Sequence, residues 1–343
     1  MKAALYHSLD NVRIEEVAKP KIGAEDVLVE MKACGVCGSD LMEWYLEKRA
    51  PLVLGHEPVG VITEVGSKVE GFSKGDRVFA HHHVACLTCH YCRHGNYTMC
   101  QKFASTHLDP GGFAEYFRVP ADNLRVDTLK IPKRVSFEEA TLIEPIACGI
   151  RAIDKCEIRH GDTVAIIGSG PAGVINAALA RLSGAGQILV SDVIDYRLKM
   201  ARRFGADVAV NVQKESFTEA VKSVTEGRGA DVVVVTAPSV KAYESALEIC
   251  RKGGTVCVFA PTSPEQTVSV SPHKLFFQEI KLVPSYSTSH LETRIALELI
   301  RSDRIDAKGL ITHRFPLSQA EKAFQTAARN KECLKVVILN EKQ

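Results

Sequence analysis

The fold is decided by residues 162–173, which read DTVAIIGSGPAG, and by the apolar residues 174–182 that follow. The apolar start of this stretch is typical of a buried strand, and its glycine pattern, G-x-G-x-x-G, falls where a strand passes into a helix. Glycines there permit a tight turn and let backbone amides approach a pyrophosphate at the helix N-terminus. The sequence therefore predicts a dinucleotide-binding loop formed by Gly168, Gly170, Pro171, Ala172 and Gly173.

Strands and helices continue to alternate from this loop to residue 283. Segment 231–235 is nearly all valine, which is typical of a strand covered on both faces. We predict a helix over residues 240–250, ended by Gly253-Gly254, and a strand over residues 255–260. About six strands with helices between them predict an α/β fold with a doubly wound Rossmann sheet.

The ends of these strands are expected to form the cofactor crevice. Asp192 lies about 20 residues beyond the glycine loop, where an acid accepts hydrogen bonds from the adenosine ribose and repels a 2′-phosphate. This favours NAD over NADP, and the nearby Arg197 is the residue that would weaken the preference. Ala237 and Phe259 follow two further strands and are expected at the same crevice. The alternative is that Asp192 is a solvated acid at a strand end.

A second set of chemically active residues lies in the stretch from Cys34 to Glu57, which opens with CGVCGSD and closes with LGHE. Cys37 and His56 bring a thiol and an imidazole together with neighbouring carboxylates, and this donor set suits zinc better than magnesium or calcium. Either residue alone would be read as an ordinary buried side chain. Short strands punctuated by glycine surround the stretch and predict a small, barrel-like domain.

Four cysteines follow with the spacing C-x2-C-x2-C-x7-C: Cys86, Cys89, Cys92 and Cys100. Four thiolates can close a tetrahedral shell around zinc and leave no position for a substrate, so the spacing predicts a structural site. Such a site would pin a lobe, about residues 84–103, that has little core of its own. The alternative is four free thiols in a polar loop, where they would be prone to oxidation.

Glu144 and a histidine triplet are further candidate metal ligands. Glu144 precedes Pro145 in an otherwise apolar segment, so we predict extended backbone there and a carboxylate that needs a partner. It would be a ligand if it faces Cys37 and His56, and otherwise an acid placed favourably at a helix start. The triplet His81-His82-His83 could hold a third metal, but a strand end with side chains that point in different directions is the preferred interpretation.

Bulk properties narrow the class of protein. The chain has 343 residues, enough for two domains, and its net charge of +2 suggests neither nucleic acid nor a membrane surface as a partner. No signal peptide or membrane-spanning segment is recognisable. We therefore expect a cytoplasmic protein, and eleven cysteines in a cytoplasmic chain indicate metal binding or reduced thiols, not a disulfide framework.

The order of these motifs resembles one known family. CGSD, GHE, the four cysteines, GGFAEY at residues 111–116, EP, GSGPAG and THRFPL at residues 312–317 together resemble the zinc-dependent medium-chain alcohol dehydrogenases, and in particular their sorbitol or polyol dehydrogenase branch. The likeness covers nearly the whole chain. It implies a GroES-like catalytic domain (residues 1–150 and 287–343) and a Rossmann NAD-binding domain (residues 151–286). It also implies a homo-oligomer, either tetramer or dimer.

The resemblance assigns roles to residues. Cys37, His56 and Glu144 would be catalytic zinc ligands, and Glu57 a movable alternative ligand or a carboxylate behind them. Asp40 would accept a hydrogen bond from His56. Ser39 would pass the proton of the alcohol outward. With the structural site, the chain would hold two zinc ions and oxidise a secondary alcohol to a ketone, the zinc acting as a Lewis acid.

Two positions depart from the pattern of the polyol branch, and they leave the substrate open. Met42 stands where many members have a proton-relay histidine, and Ser285 stands where an arginine precedes Tyr286. His83 resembles a pocket histidine of threonine dehydrogenases. A threonine dehydrogenase-like enzyme and a sugar-alcohol-phosphate dehydrogenase therefore stay as alternatives. A zinc-free reductase and a non-catalytic NAD- and zinc-binding protein are rival classes, each predicted to hold one zinc per chain instead of two.

Overall fold

The structure is a computed structural model that describes residues 1–341. The chain divides into two compact units: the first contains Met1–Ala147 and the residues from Thr288 onward, and the second is Cys148–Ser287. These limits lie within three residues of the predicted domain boundaries. The predicted span 287–343 includes residues 342 and 343, which lie outside the described residues.

The N-terminal part of the first unit is rich in strands. Its strands are β1 (Lys2–Ser8), β2 (Asn11–Glu16), β3 (Val27–Gly35), β4 (Leu52–Val53), β5 (Glu57–Val65), β6 (Arg77–Ala80), β7 (Tyr116–Val119) and β8 (Thr128–Lys130). Its helices are short: α1 (Glu43–Leu46), α2 (His90–Arg93), α3 (Gln101–Ser105), α4 (Ala121–Asp127) and α5 (Phe137–Ala140). Two 3₁₀ turns, Gly38–Leu41 and Tyr97–Met99, complete this part.

The second unit alternates strands with helices. Its strands are β9 (Thr163–Ile167), β10 (Gln187–Asp192), β11 (Val208–Asn211), β12 (Ala230–Val235), β13 (Cys250–Val258) and β14 (Lys281–Pro284). The helices are α6 (Ile143–Cys156), which begins in the first unit, α7 (Pro171–Leu182), α8 (Asp195–Arg203), α9 (Phe217–Val224), α10 (Val240–Ile249) and α11 (Pro272–Gln278). All neighbouring strands pair in parallel, in the order β11-β10-β9-β12-β13-β14. This is the strand order of a Rossmann sheet.

The last segment returns to the first unit, as its sequence suggested. It contains α12 (His290–Arg301), α13 (Ala307–Leu310), β15 (Ile311–Pro316), the 3₁₀ turn Leu317–Gln319, α14 (Ala320–Arg329) and β16 (Lys335–Leu339). Strands β15 and β16 extend a seven-stranded sheet of order β15-β16-β3-β5-β6-β8, to which β7 adds by pairing with β3. Strand β3 is therefore flanked by β5 and by β16, which lie far apart in the sequence.

The core of the first unit lies where this sheet meets a three-stranded sheet, β2-β1-β4, and helix α14. Tyr6, Phe113, Phe117 and Phe324 are fully buried there. Burying each large aromatic side chain contributes on the order of 2–3 kcal/mol, so this core holds the strands that carry the site residues in one fixed register.

The backbone at Glu144 differs from the prediction. The extended conformation predicted before Pro145 is wrong, because Glu144 and Pro145 form the first turn of α6. Proline is tolerated in a first turn, where its missing N–H would have no partner in the helix. Ile143 and Ile146 are fully buried beside it, and this packing outweighs the local preference of a residue before proline.

The prediction that Gly253-Gly254 ends a helix is also wrong. Helix α10 already ends at Ile249, and both glycines lie inside β13. The pairing of β12 with β13 shifts register between Ala230 and Val232, and a Cβ at Gly254 would lie 2.7 Å from the Cys250 sulfur and 3.0 Å from the Asp231 carbonyl oxygen. The glycines therefore allow a bulge in a strand.

Among residues 1–341, no helix combines the length and the apolar character that crossing a bilayer requires.

Candidate functional site

Three predicted metal ligands meet in the first unit. Cys37 follows β3, while His56 immediately precedes β5 and Glu57 is its first residue; β5 pairs with β3. One ligand atom from each of Cys37, His56 and Glu57 lies within 4.8 Å of the other two. The sheet therefore brings a thiol, an imidazole and a carboxylate to the end of two neighbouring strands.

Asp40 orients the imidazole. It is 2% exposed, and its Oδ1 lies 3.3 Å from His56 Nδ1, while its Oδ2 accepts a hydrogen bond of 2.9 Å from Cys37 N. Burial lowers the pKa of His56, but the charges of Asp40 and Cys37 raise it well above its usual value. The surroundings therefore favour positive charge at this place, as they would with a cation bound to the imidazole.

A lysine that the sequence analysis missed completes the cluster. Lys335, the first residue of β16, is 2% exposed and Glu57 is fully buried. The Lys335 ammonium lies 2.7 Å and 2.5 Å from the two Glu57 carboxylate oxygens and donates to Val36 O at 3.0 Å. Burial lowers the pKa of Lys335, but Glu57, Cys37 and Glu144 raise it above its ordinary value.

Glycine at position 35 makes room for this ion pair. Gly35 lies on β3 between the two strands, opposite Glu57 of β5 and opposite Val337 of β16. A Cβ at Gly35 would lie 1.8 Å from Glu57 Oε2 and 3.0 Å from Lys335 Cε. The Glu57 side chain therefore crosses the central strand at the one position that has no side chain.

Glu144 reaches the same cluster from helix α6. It is 5% exposed, and its charge acts on both Glu57 and Lys335. Burial raises the pKa of Glu57, Lys335 lowers it, and Glu144 raises it further. The group of atoms within 4.8 Å contains the Glu57 carboxylate and not that of Glu144. Glu144 thus contributes negative charge near the cluster, and its role as the third ligand stays a prediction.

Ser39 lies in the 3₁₀ turn Gly38–Leu41, between Cys37 and Asp40 in the sequence, and is half-buried. Met42 ends that turn. The donor set as a whole fits zinc, since it offers one soft sulfur, one imidazole nitrogen and carboxylate oxygens beside an excess of buried negative charge.

The four clustered cysteines also meet. One sulfur from each of Cys86, Cys89, Cys92 and Cys100 lies within 4.8 Å of the others, and the Cys89–Cys92 and Cys86–Cys92 sulfur distances are 3.5 Å and 4.0 Å. Tetrahedral zinc with bonds of 2.3 Å to sulfur would separate the sulfurs by about 3.8 Å. The Cys89 N–H donates to the Cys86 sulfur at 3.3 Å, and the Cys86 N–H to the Cys100 sulfur at 3.4 Å. Such backbone bonds stabilise thiolates, so this shell fits a structural zinc.

The three histidines of the triplet have different partners, although the His82 and His83 rings lie only 4.0 Å apart. His81 Nδ1 lies 3.1 Å from Asp127 Oδ2, the His82 ring lies 5.0 Å from the His56 ring, and His83 Nδ1 donates to Thr106 O at 2.6 Å. Burial lowers the pKa of His83 to about 3, so His83 is neutral at physiological pH. Within residues 1–341, the only groups of three or more potential ligands close enough to hold a metal are the two described above.

The glycine loop of the second unit connects β9 to α7. Gly168 has a φ of 100°, which favours glycine, and a Cβ at Gly173 would lie 2.0 Å from Gly168 O. By contrast, a Cβ at Gly170, the residue before α7, would meet no atom within 4 Å. Gly170, with Pro171 and Ala172 in the first turn of α7, therefore leaves open space at a helix N-terminus, as phosphate binding requires.

The other predicted cofactor residues lie at the carboxyl ends of parallel strands. Asp192 ends β10, and its carboxylate accepts hydrogen bonds from Ser169 N at 2.7 Å, Val193 N at 2.7 Å and Ile194 N at 3.0 Å. Ala237 follows β12, and a Cβ at Gly168 would lie 3.0 Å from its nitrogen. Phe259 follows β13. Arg197 lies in α8, five residues beyond Asp192.

Comparison with known proteins extends these observations over the whole chain. A model of the alcohol dehydrogenase GroES-like domain matches residues 23–133, and a model of the zinc-binding dehydrogenase domain matches residues 171–302. Sorbitol dehydrogenase of Bacillus subtilis (strain 168) is 34% identical over 348 residues, covering 98% of this chain and 97% of that protein. L-threonine 3-dehydrogenase of Burkholderia thailandensis is 33% identical, covering 91% of each.

Solved structures of similar proteins contain both forms of the coenzyme. A zinc-binding dehydrogenase from Sinorhizobium meliloti 1021 bound to NADP is 28% identical, with a TM-score of 0.88 and 98% of each chain covered. An alcohol dehydrogenase from Escherichia coli CFT073 in complex with NADH is 27% identical, with a TM-score of 0.88 and 99% of each chain covered.

The two glycines of the loop are predicted to respond differently to alanine. Gly173→Ala forces a Cβ against the Gly168 carbonyl and is expected to destabilise the protein by about 1–3 kcal/mol, seen as a lower Tm. Gly170→Ala, its matched control, is expected to keep the Tm but weaken NAD binding, because its methyl group occupies the space that backbone amides leave for phosphate. Calorimetric unfolding and titration with NADH measure the two effects. Equal loss of Tm in both variants would contradict this division.

Proposed function

This chain belongs to the zinc-binding alcohol dehydrogenase family, and we propose that it interconverts a secondary alcohol of polyol or sugar-alcohol type and its ketone, with NAD as hydride acceptor. The observation that carries the proposal is the meeting of Cys37, His56 and buried carboxylates in a chain whose second unit has a Rossmann phosphate loop. A zinc-free reductase has no need of such a donor set.

The residues of the first unit have distinct tasks in this proposal. Zinc, when bound, supplies a Lewis acid that lowers the pKa of the alcohol. Cys37 and His56 would hold the metal, Glu144 would provide the third ligand, and Glu57 would be a movable alternative to it. Asp40 keeps His56 in the tautomer that presents Nε2 to the metal, because Nδ1 faces its carboxylate. Ser39 accepts the proton of the alcohol and passes it to water, a route that does not need a histidine at position 42.

A structural zinc on the four cysteines is the second metal of the proposal. The lobe has a small apolar core, in which Ala85, Cys92, Cys100 and Phe103 are the buried members. Because two of those four are themselves cysteines, the metal is expected to supply much of the stability of the lobe.

NAD is the preferred coenzyme in the proposal because of Asp192. Its carboxylate is held beside the glycine loop by the Ser169 amide, where it would meet the adenosine ribose. A 2′-phosphate there would bring two negative groups together. Arg197 is the residue that could offset this repulsion, and the NADP-bound relative shows that the family accommodates both coenzymes.

Threonine or a related amino alcohol is the second candidate substrate, favoured by His83 and by the similarity to L-threonine 3-dehydrogenase. A neutral His83 can accept a hydrogen bond from a substrate ammonium group, whereas it offers a polyol no charged partner. The polyol proposal takes precedence because the similarity to sorbitol dehydrogenase extends over more of the chain. The cytoplasmic location expected from the sequence stays a prediction.

We also propose that the chain forms a homo-oligomer through the edge of the Rossmann sheet. Strand β14 ends the strand order, so one of its sides has no neighbouring strand among residues 1–341. Phe276, Phe277 and Tyr286, which are close to this strand in the sequence, are 75%, 68% and 55% exposed. An unpaired edge next to exposed aromatic side chains favours pairing with the same strand of a second copy.

Replacing one thiol tests the metal assignment. Cys37→Ser is expected to lower the zinc content from two ions per chain to one and to reduce kcat/KM by about a thousandfold, because a Lewis acid contributes several kcal/mol. Cys34→Ala is the matched control: this buried thiol lies three residues away on β3 and should leave two zinc ions. Elemental analysis and steady-state kinetics give the answer. One zinc per chain in the unmodified protein would favour the rival classes.

A substrate panel tests the choice of alcohol and coenzyme. Secondary alcohols, polyols, sugar-alcohol phosphates and threonine would each be assayed with NAD and with NADP. We expect the highest kcat/KM for a polyol and at least about tenfold preference for NAD, because like charges at the ribose cost on the order of 1 kcal/mol or more. Faster turnover of threonine than of any polyol would establish the second candidate instead.

Charged residues at the sheet edge test the oligomer. Phe276→Asp together with Leu282→Asp is expected to convert the oligomer to a smaller species, because burying a carboxylate in an interface is costly. Val212→Asp, which places the same charge on another exposed apolar residue of the same unit, should leave the oligomer intact. Light scattering on a size-exclusion column gives the molar mass. An unchanged mass in the double variant would place the interface elsewhere.

A further inference from the structure

We propose that Lys335 is a positioning residue that holds the Glu57 carboxylate away from the metal and thereby keeps one coordination position open to the substrate. This inference rests on the proposed function, because it presupposes a metal at Cys37 and His56. None of the sequence motifs assigns a role to Lys335.

Glu57 lies within reach of two different cations. Its carboxylate belongs to the group whose ligand atoms lie within 4.8 Å of one another with Cys37 and His56, and both of its oxygens also contact the Lys335 ammonium. The Glu57 carboxylate can pair either with the metal or with the Lys335 ammonium. Which partner it takes decides how many protein ligands surround the metal.

The number of ligands matters because closed and open zinc sites have different uses. Four protein ligands make a structural site, whereas catalytic sites keep three and leave the fourth position for substrate. If both Glu57 and Glu144 joined Cys37 and His56, the shell would be complete. The Lys335 ammonium prevents this by offering Glu57 a buried, charge-assisted alternative at hydrogen-bond distance.

Lys335 is itself held in place. Its third contact is the hydrogen bond to Val36 O, and it starts β16, which pairs with β3. Both members of the ion pair are almost completely shielded from water, so neither can take solvent as a substitute partner. Removing the ammonium therefore leaves Glu57 with the metal as its nearest cation.

Gly35 provides an independent way to test the contact. A methyl group at this position would occupy the space of Glu57 Oε2 and would also press on Lys335 Cε. Gly35→Ala therefore breaks the ion pair without changing the charge of either partner. Gly38→Ala is the matched control, since a Cβ there meets no atom within 4 Å and its φ lies outside the left-handed region.

The experiment replaces zinc with Co²⁺ in the full-length protein and follows its visible spectrum as imidazole is added. The cysteine cluster is already a closed shell, so its bands cancel in the difference spectrum. In the unmodified protein and in Gly38→Ala, imidazole should bind the open position and change the spectrum. In Lys335→Met and Gly35→Ala, we expect the response to imidazole to be lost and release of the ion to a chelator to be about tenfold slower.

Glu57→Gln restores the open position if the proposal is right. In the double variant Lys335→Met/Glu57→Gln, an amide replaces the carboxylate and competes poorly for the metal, so the imidazole response should return. Kinetics provide a second readout: kcat should fall in Lys335→Met, with less change in KM, and should recover in the double variant. A role of Lys335 in stability alone would lower Tm without changing the spectral response.

The outcomes separate this proposal from the proposed function. An imidazole response in Lys335→Met equal to that of the unmodified protein overturns the role of Lys335 and leaves the metal assignment intact. Absence of any Cys37-dependent Co²⁺ band in the unmodified protein overturns the proposed function itself. If Lys335→Met does not fold, Lys335→Gln, which keeps a donor for Val36 O, carries the same comparison.

Discussion

Buried negative charge is the constraint on which the rest of the first unit depends. Asp40, Glu57 and Glu144 are each nearly inaccessible to water. Asp40 and Glu57 lie beside one thiol and one imidazole, and the charge of Glu144 acts on Glu57. Burying one carboxylate without a partner already costs several kcal/mol, so such a group of acids can persist only if cations face it. Lys335 supplies one positive charge, and a divalent ion on Cys37 and His56 would supply the remainder. Fold stability and metal binding are thus parts of one charge balance.

The cysteine lobe follows a different principle. Its four sulfurs are brought together by a local loop with two backbone N–H bonds to sulfur, and its apolar core is small. Local sequence spacing is enough to build such a shell, because the ligands lie within fifteen residues of one another. The cluster around Cys37 is not local in this sense, because its acids and its lysine come from a turn, two strands and a helix that are distant in sequence.

This difference explains what could be predicted from the sequence. Ligand types, glycine spacing and strand periodicity are local, and they pointed to a doubly wound Rossmann sheet and to the grouping of Cys37 with His56. Lys335 was missed because a lysine at the start of an apolar strand is usually exposed. Its burial depends on β16 pairing with β3, some three hundred residues away. The backbone at Glu144 was wrong for a related reason, since packing of neighbouring isoleucines overrode the preference of a residue before proline.

Gly35 links the strand register of the sheet to the ion pair behind the metal ligands. In the sheet it is one paired residue of β3, and any small residue could satisfy the hydrogen bonds of the ladder. What excludes a side chain there is the Glu57–Lys335 ion pair, which passes over the strand from one neighbour to the other. A sheet normally keeps the side chains of its second-nearest strands apart, at about twice the 4.8 Å strand spacing. Removing one side chain from the central strand lets long residues on the two outer strands meet. The register that pairs Gly35 with Glu57 is therefore also what places a charged partner behind the metal ligands. A shift of one residue in this pairing would dismantle the site and would also turn the buried side chains of β3 to the other face of the sheet.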